Sequence, residues 1–377
     1  MKIRFTLLIC LFIFFLGFEN SFGQKIKYDA DIKRIMPLSR QISEYLKEKN
    51  LNLTIGIAVL NFDSDKNAGG FYRYYTNDTL ENNLRQKGKL VFPTMSVYKF
   101  HLALAILSQV DKGKFELDEV LIIQKSDILE ETYSPLREDL KKKHGEDYEK
   151  QLEKGVSIPL TELLSYMVSK SDNNACDILF RFLGGKEYIE KYNYKKPFSE
   201  HQIIEQRKKY NKKGVKKTHT FIAKLGLKNT KIAASEEKMH EHFDNQYLNT
   251  TTPLDATLLL RHFYQGKILK KETQDFLWKI LVETQTGANK IKAGLSQNED
   301  VVFGHKTGSS FRKEMEGEEH GLKAAENDIG IVVAPNKKYA IAIFIKNSME
   351  SNDTNAALMA ELSKMVAKFM LNKNASE

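Results

Sequence analysis

Cysteine, proline and tryptophan are scarce in this chain: two, seven and one in 377 residues. Two cysteines cannot build a disulfide-rich scaffold or a four-cysteine zinc site. After the first two dozen residues no apolar run is long enough to span a bilayer. No internal repeat appears at the periods of solenoids or propellers. Apolar residues, by contrast, are ample. At 41% hydrophobic and 10% aromatic beside 28% charged, the composition supports a real core and excludes general disorder. What exceeds balance is positive charge, 58 Lys and Arg against 49 Asp and Glu, a formal +9 that invites a nucleic-acid partner.

The N-terminus argues against that partner. Lys2 and Arg4 precede an almost unbroken apolar run, Phe5 to Phe18, which is too short to cross a membrane. Small residues Ser21 and Gly23 follow, so residues 1–23 read as a secretory signal peptide cut before Gln24. Cys10 would leave with it, and Cys176, alone in the mature chain, could make no internal disulfide. Export predicts a periplasmic or secreted protein with no nucleic-acid partner and no stable membrane insertion. The charge is also local. Residues 186–217 hold 11 Lys and Arg against 4 Asp and Glu, a surplus of +7 in one stretch, with Tyr188, Tyr192, Tyr194, Phe198 and Tyr210 interleaved. In an exported chain that stretch reads as a solvated loop or an added helix rather than a binding surface.

Periodicity organises the rest. Leu38, Ile42, Tyr45 and Leu46 mark an amphipathic helix ending near Lys47, with Pro37 either starting it or kinking it. Leu51–Phe62 and Phe71–Tyr75 read as a hairpin across a turn-like Asp63–Gly70. Ser96–Val110 is apolar nearly all round and predicts a helix buried on most sides. Helical patterns follow at Leu160–Ser169, Asn174–Leu183 and Pro253–Tyr264, and strands at Val301–Gly304, Asp328–Val333 and Tyr339–Ile345. A last amphipathic helix spans about Asn355 to Met370, whereas Leu140–Gly155 is charged and shows no period. The order predicts an α/β fold. An antiparallel sheet flanked by helices would come from residues 24–91 and 283–377, with an inserted all-helical subdomain over 92–282 and a cleft between them.

Three short motifs carry the chemistry. Ser-x-x-Lys occurs at Ser96/Lys99, Ser235/Lys238 and Ser310/Lys313, as chance allows in a lysine-rich chain. Ser171-Asp172-Asn173 and Lys306-Thr307-Gly308 each occur once, and only Ser96 precedes both in the required order. Ser96 also opens the buried helix, where residues i and i+3 share a face and the helix N-terminus favours developing negative charge. A lysine acts as a base only when neutral, so desolvation and a second cation nearby are what such chemistry needs.

With these residues in place, the stretches FPTMSVYKFHLALAIL, VSKSDNNACDILF and GHKTGSS make the chain resemble the class A serine β-lactamases, in a subgroup often active on cephalosporins. The resemblance implies the β-lactamase/transpeptidase-like fold and hydrolysis of a β-lactam amide through an acyl-enzyme, by a monomer without cofactor or metal. It implies an attacked carbonyl held between the backbone N–H groups of Ser96 and Ser309. Ser171 would relay a proton to the leaving nitrogen, and Asn173 would hold the acylamino side chain. Lys306, Thr307, Gly308 and Ser309 would form the edge that binds the substrate carboxylate, with Tyr133 as the aromatic residue at the entrance. Deacylation needs a carboxylate, supplied in the family by Glu-x-x-x-Asn. Glu236-Glu237-Lys238-Met239-His240 is the match, with His in place of Asn, Glu236 favoured and Glu237 adjacent.

Blander readings stand beside each of these. Ser96 and Lys99 could simply start a helix, and Asp172 reads as a helix cap whatever its neighbours do. His240 and His242 lack a third grouped ligand and read as loop residues rather than a metal site; His305 reads as structural. Cys176 reads as a buried small hydrophobe. Two other functions remain open here: a penicillin-binding-protein-like D-alanyl-D-alanine peptidase, and an inactive envelope-binding relative that uses the basic stretch.

Overall fold

The structure is a computed structural model and describes residues 22–62, 70–185, 199–298 and 300–371. Most of the expected signal peptide, the Asp63–Gly69 turn, and the part of the basic stretch holding Tyr188, Tyr192, Tyr194 and Phe198 lie outside the described residues.

The two strand-bearing ends of the chain form one sheet. Strands β1 (Thr54–Asn61) and β2 (Gly70–Thr76) join β3 (Val302–Ser309), β4 (Leu322–Ala334) and β5 (Lys337–Ser348) in the order β2-β1-β5-β4-β3. Every pairing is antiparallel. Register follows from the alternation along β5. Tyr339, Ile341, Ile343 and Ile345 face one core, and Ala340, Ala342 and Phe344 the other. A one-residue slip would exchange the two sets, so both layers fix the register together.

The first face is covered by the terminal helices α1 (Phe22–Lys49) and α6 (Asn352–Leu371), through Leu38, Ile42, Leu46, Met359, Leu362 and Val366. Pro37 neither starts nor ends α1 but lies inside it. The second face carries the middle of the chain, centred on α2 (Tyr98–Val110), in which every residue from Tyr98 to Ser108 is buried. Around it pack α3 (Leu160–Ser169), α4 (Asn173–Gly184) and α5 (Glu200–Lys224). Among the described residues no helix is long and apolar enough to cross a membrane.

Four expectations need correction. The middle of the chain is not all-helical, because Val120–Ile123 pairs antiparallel with Val156–Pro159 and Phe92–Pro93 with Thr250–Thr251. These two-stranded ribbons are too short to stand out as an alternating pattern. The stretch Leu140–Gly155 is not irregular: the helices Pro135–His144 and Tyr148–Lys154 cover most of it. Each buries only one i, i+4 pair, Leu136/Leu140 and Tyr148/Leu152, a stripe too thin to show as a period among solvated charges. The strand expected to stop at Gly304 continues to Ser309, because its pairing with β4 persists through Lys306↔Ile329 and Ser309↔Glu326. Ser96 does not lie in the α-helix itself but in the 3₁₀ turn Met95–Val97 that leads into it. The described part of the basic stretch is helical, as one of the two readings had it, and α5 runs on to Lys224.

One buried titratable group gives the core a pH signature. His101 is fully buried in α2, and burial pushes its pKa down to about 4 from an ordinary 6.5. Below pH 6.5 the unfolded chain binds a proton that the folded chain refuses until about pH 4, so this group removes stability across that window. Asp177, pushed up to about 6 by burial, acts in the opposite sense below pH 6. The comparison is therefore between variant and wild type. His101→Leu should gain on the wild type by about 2 kcal/mol between pH 7 and pH 5 in urea-unfolding curves, whereas parallel pH profiles would contradict the buried neutral imidazole.

Candidate active site

The first of the three motifs sits on a strained turn. Met95 has φ of 44°, a left-handed conformation that a non-glycine residue adopts only under constraint from its surroundings. That constraint is visible. Asn327 of β4 donates from Nδ2 to Pro93 O at 2.8 Å and Thr94 O at 3.1 Å, and Thr94 N donates to Asn249 O at 2.8 Å. From the other side β3 passes so close that a Cβ on Gly308 would lie 2.6 Å from Thr94 O and 3.1 Å from Ser96 N. Only glycine lets the Lys-Thr-Gly strand approach the serine backbone this closely.

The second motif begins on another strained residue, Ser171, with φ of 61°. Asp172 is the cap expected of it. Its carboxylate accepts from Ala175 N at 2.7 Å, Leu136 N at 2.6 Å and Ser134 Oγ at 2.9 Å, which anchors the start of α4. With the turn held, Ser171 turns its carbonyl toward Lys99 Nζ at 2.6 Å and its hydroxyl toward Lys306 Nζ at 2.8 Å. Asn173 accepts from Lys99 Nζ at 2.5 Å and donates to Thr132 Oγ1 at 2.8 Å. Three motifs far apart in sequence thus meet through two lysines.

Lys99 also meets Glu236 Oε1 at 3.1 Å, with both side chains buried. Tyr98 donates its hydroxyl to the same oxygen at 2.9 Å. Glu236 and its neighbour Glu237 part company here. Asp177 accepts both backbone N–H groups, at 2.9 and 2.8 Å, and so fixes the turn. Glu237 then points away from the lysine pair, to Arg207 of α5 at 2.7 Å and Asn211 at 3.2 Å. The helix within the basic stretch therefore anchors the glutamate loop, and Asn249 ties the loop from within by accepting from Ala233 N and Ala234 N.

Ser96, Ser171, Asn173, Glu236, Thr307 and Ser309 line one cavity of about 460 Å³. Tyr133 and Gly308 also line it, and Tyr133 is half exposed at the rim. Lys99 and Lys306 are buried behind that wall. Lys306 is held well below the ordinary lysine range, first by burial and then by the charges of Lys99 and Lys290.

The histidines take other roles. His305 is buried against Asp328 at 2.9 Å, and His240 Nδ1 lies 2.8 Å from Glu236 O, within the helical turn that carries Glu236. Cys176 is buried, its sulfur 3.3 Å from the Tyr98 hydroxyl. Sequence reasoning missed Asn327, Asp177, Lys290 and Glu326. The run Glu326-Asn327-Asp328 inside an otherwise apolar strand was the available signal, since buried polar groups there must have partners.

A model of the β-lactamase enzyme family matches residues 37–370. The chain belongs to that family. It is 35% identical over 336 residues to a β-lactamase of Bacteroides uniformis, covering 89% of this chain and 91% of the relative. Among solved structures, the TLA-1 extended-spectrum β-lactamase superposes with a TM-score of 0.68 at 35% identity, over 88% of this chain and 98% of the other. A class A β-lactamase from Bacteroides cellulosilyticus gives 0.68 at 33% identity, over 89% and 98%. The fold of this β-lactamase, an antiparallel sheet flanked by helices, is thus the class A fold.

Gly308 tests the geometry. Gly308→Ala should force β3 away from the Ser96 turn, lowering kcat/KM for a cephalosporin on the order of a hundredfold, read by steady-state kinetics. Unchanged kinetics would mean that the close approach has no part in positioning Ser96.

Proposed function

We propose that this β-lactamase opens its substrate through an acyl-enzyme on Ser96 and releases the product with a water activated by Glu236. The observation that carries the reading is the buried Lys99–Glu236 contact at the wall of the Ser96 cavity, with Glu237 turned away to Arg207. The Ser96 hydroxyl attacks the lactam carbonyl and its proton enters the Lys99–Glu236 pair. The carbonyl oxygen takes the negative charge between the N–H groups of Ser96 and Ser309, each such donor being worth about 3 kcal/mol. As the C–N bond breaks, Ser171 passes its proton to the nitrogen and regains one from the Lys99–Glu236 pair, which returns the pair to its starting state. Lys306 Nζ, 2.8 Å from the Ser171 oxygen, orients that hydroxyl. Asn173 orients the acylamino group, while Lys306, Thr307 and Ser309 receive the substrate carboxylate. In the second half Glu236 takes a proton from water, hydroxide attacks the ester carbonyl, and Ser96 recovers its proton as the acid leaves.

The same reading divides the chain at residues 24–91 and 283–377 against 92–282, with the cleft between the parts. It places the enzyme in the periplasm as a monomer after removal of residues 1–23. Met1–Gly23 should be absent from periplasmic material, whose N-terminal residue by sequencing should be Gln24.

Purified enzyme should turn over a chromogenic cephalosporin. Glu236→Gln should leave acylation able to proceed and slow deacylation, so that intact-protein mass rises by the mass of the substrate and stays there. Glu237→Gln should retain turnover within a few fold. A trapped adduct in Glu237→Gln instead, or a stable stoichiometric adduct in the wild type, would overturn this assignment and favour the peptidase-like alternative.

A further inference from the structure

Beyond Ser309 the cavity wall contains a carboxylate that the reaction does not require. Glu326 lies on β4 directly opposite Ser309 and is buried, yet it lines the cavity. Its Oε2 accepts from Ser309 Oγ at 3.0 Å and pairs with Lys323 Nζ at 2.9 Å, and its Oε1 pairs with Lys290. Burial alone would raise its pKa, but Lys290 and Lys323 overcome this and hold the group below the usual glutamate range, so it stays charged. Lys290 lines the same cavity, whereas Lys323 reaches inward to Ser310 O at 3.1 Å.

Glu326 therefore holds the Ser309 hydroxyl and the Lys290 ammonium, two donors at the place where the proposed mechanism puts the substrate carboxylate. We propose that Glu326 is a specificity-determining residue: a built-in anion that competes with the substrate carboxylate for Ser309 and Lys290. The inference rests on the functional reading above. Binding an anionic substrate then requires Lys290 and Ser309 to be shared between two carboxylates, with Lys323 left to balance Glu326. Like charges a few ångströms apart in a poorly solvated cleft repel, so the residue lowers the preference for a carboxylate at this end and raises tolerance of substrates without one. Lys323 acts as a positioning residue, holding Glu326 against the cavity wall.

The test compares a carboxylate-bearing cephalosporin with its methyl ester and reads the acid-to-ester ratio of kcat/KM. Glu326→Gln should raise that ratio on the order of tenfold, mainly through a lower KM for the acid. Because this variant strands Lys323, the double variant Glu326→Gln/Lys323→Gln restores charge balance and should show the same rise. Lys290→Met should lower the ratio. A residue that only supports the fold would depress both substrates in parallel, so a ratio unchanged in both Glu326 variants overturns the proposal. If the wild type hydrolyses the acid but the ratio does not move, only this inference falls. If the wild type hydrolyses neither compound, the functional reading falls and takes this inference with it.

Discussion

The buried contact between Lys99 and Glu236 is the constraint around which the rest of the structure is arranged. Removing an ammonium and a carboxylate from water costs several kcal/mol per ion, and mutual attraction repays this only when the remaining hydrogen-bonding capacity is filled. Lys99 fills its own with the Ser171 carbonyl and the Asn173 amide oxygen, and Glu236 fills its own with the Tyr98 hydroxyl. Each partner has to be delivered to one point from a different element. The left-handed φ at Ser171 follows from this demand, since that conformation sets its carbonyl toward one lysine and its hydroxyl toward another. A strained backbone persists where several independent contacts determine it.

The same demand explains how distant segments are locked together. The Ser96 turn is fixed by β4 through Asn327 and by the glutamate loop through Asn249, while Gly308 allows β3 to close over it. The glutamate loop is fixed in turn by Asp177 from α4 and by Arg207 from α5. The basic stretch that dominates the chain's net charge thus supports the site through Arg207 and Asn211, which draw Glu237 outward and leave Glu236 facing inward. Around the substrate pocket the charges are arranged in opposed sets, Lys99 with Glu236 and Lys290 with Glu326, while burial and the charges of Lys99 and Lys290 hold Lys306 well below the ordinary lysine range.

Much of this was legible in the sequence because the informative features are local. The helices Leu160–Ser169 and Pro253–Tyr264 and the alternation along β5 follow from apolar spacing, and the ordered triple of Ser96, Ser171 and Lys306 follows from residue identity. What escaped depends on tertiary contact. Two thin helices between Pro135 and Lys154 bury one pair of side chains each, below what a period can reveal. Asn327 and Gly308 act on a turn more than 200 residues away; the polar run around Asn327 and the Lys-Thr-Gly motif mark these residues, but neither names that turn as the partner. The motif match favours Glu236 over Glu237, but the contacts of Arg207 and Asp177 that separate the two side chains are ones that sequence spacing does not connect. The carboxylate of Glu326 was visible as an acidic residue in an apolar strand, but its meaning required knowing that Ser309 faces it.

The central claim is that one cluster of buried charge serves both acylation of Ser96 and hydrolysis of the resulting ester. Rapid-quench mass spectrometry of the wild-type enzyme during turnover of a cephalosporin tests it most directly. The expected result is an adduct confined to the peptide containing Ser96, which appears within the first turnover and vanishes as substrate is exhausted. An adduct that outlasts the substrate, one carried by another residue, or turnover with no covalent species under conditions that slow deacylation would contradict it.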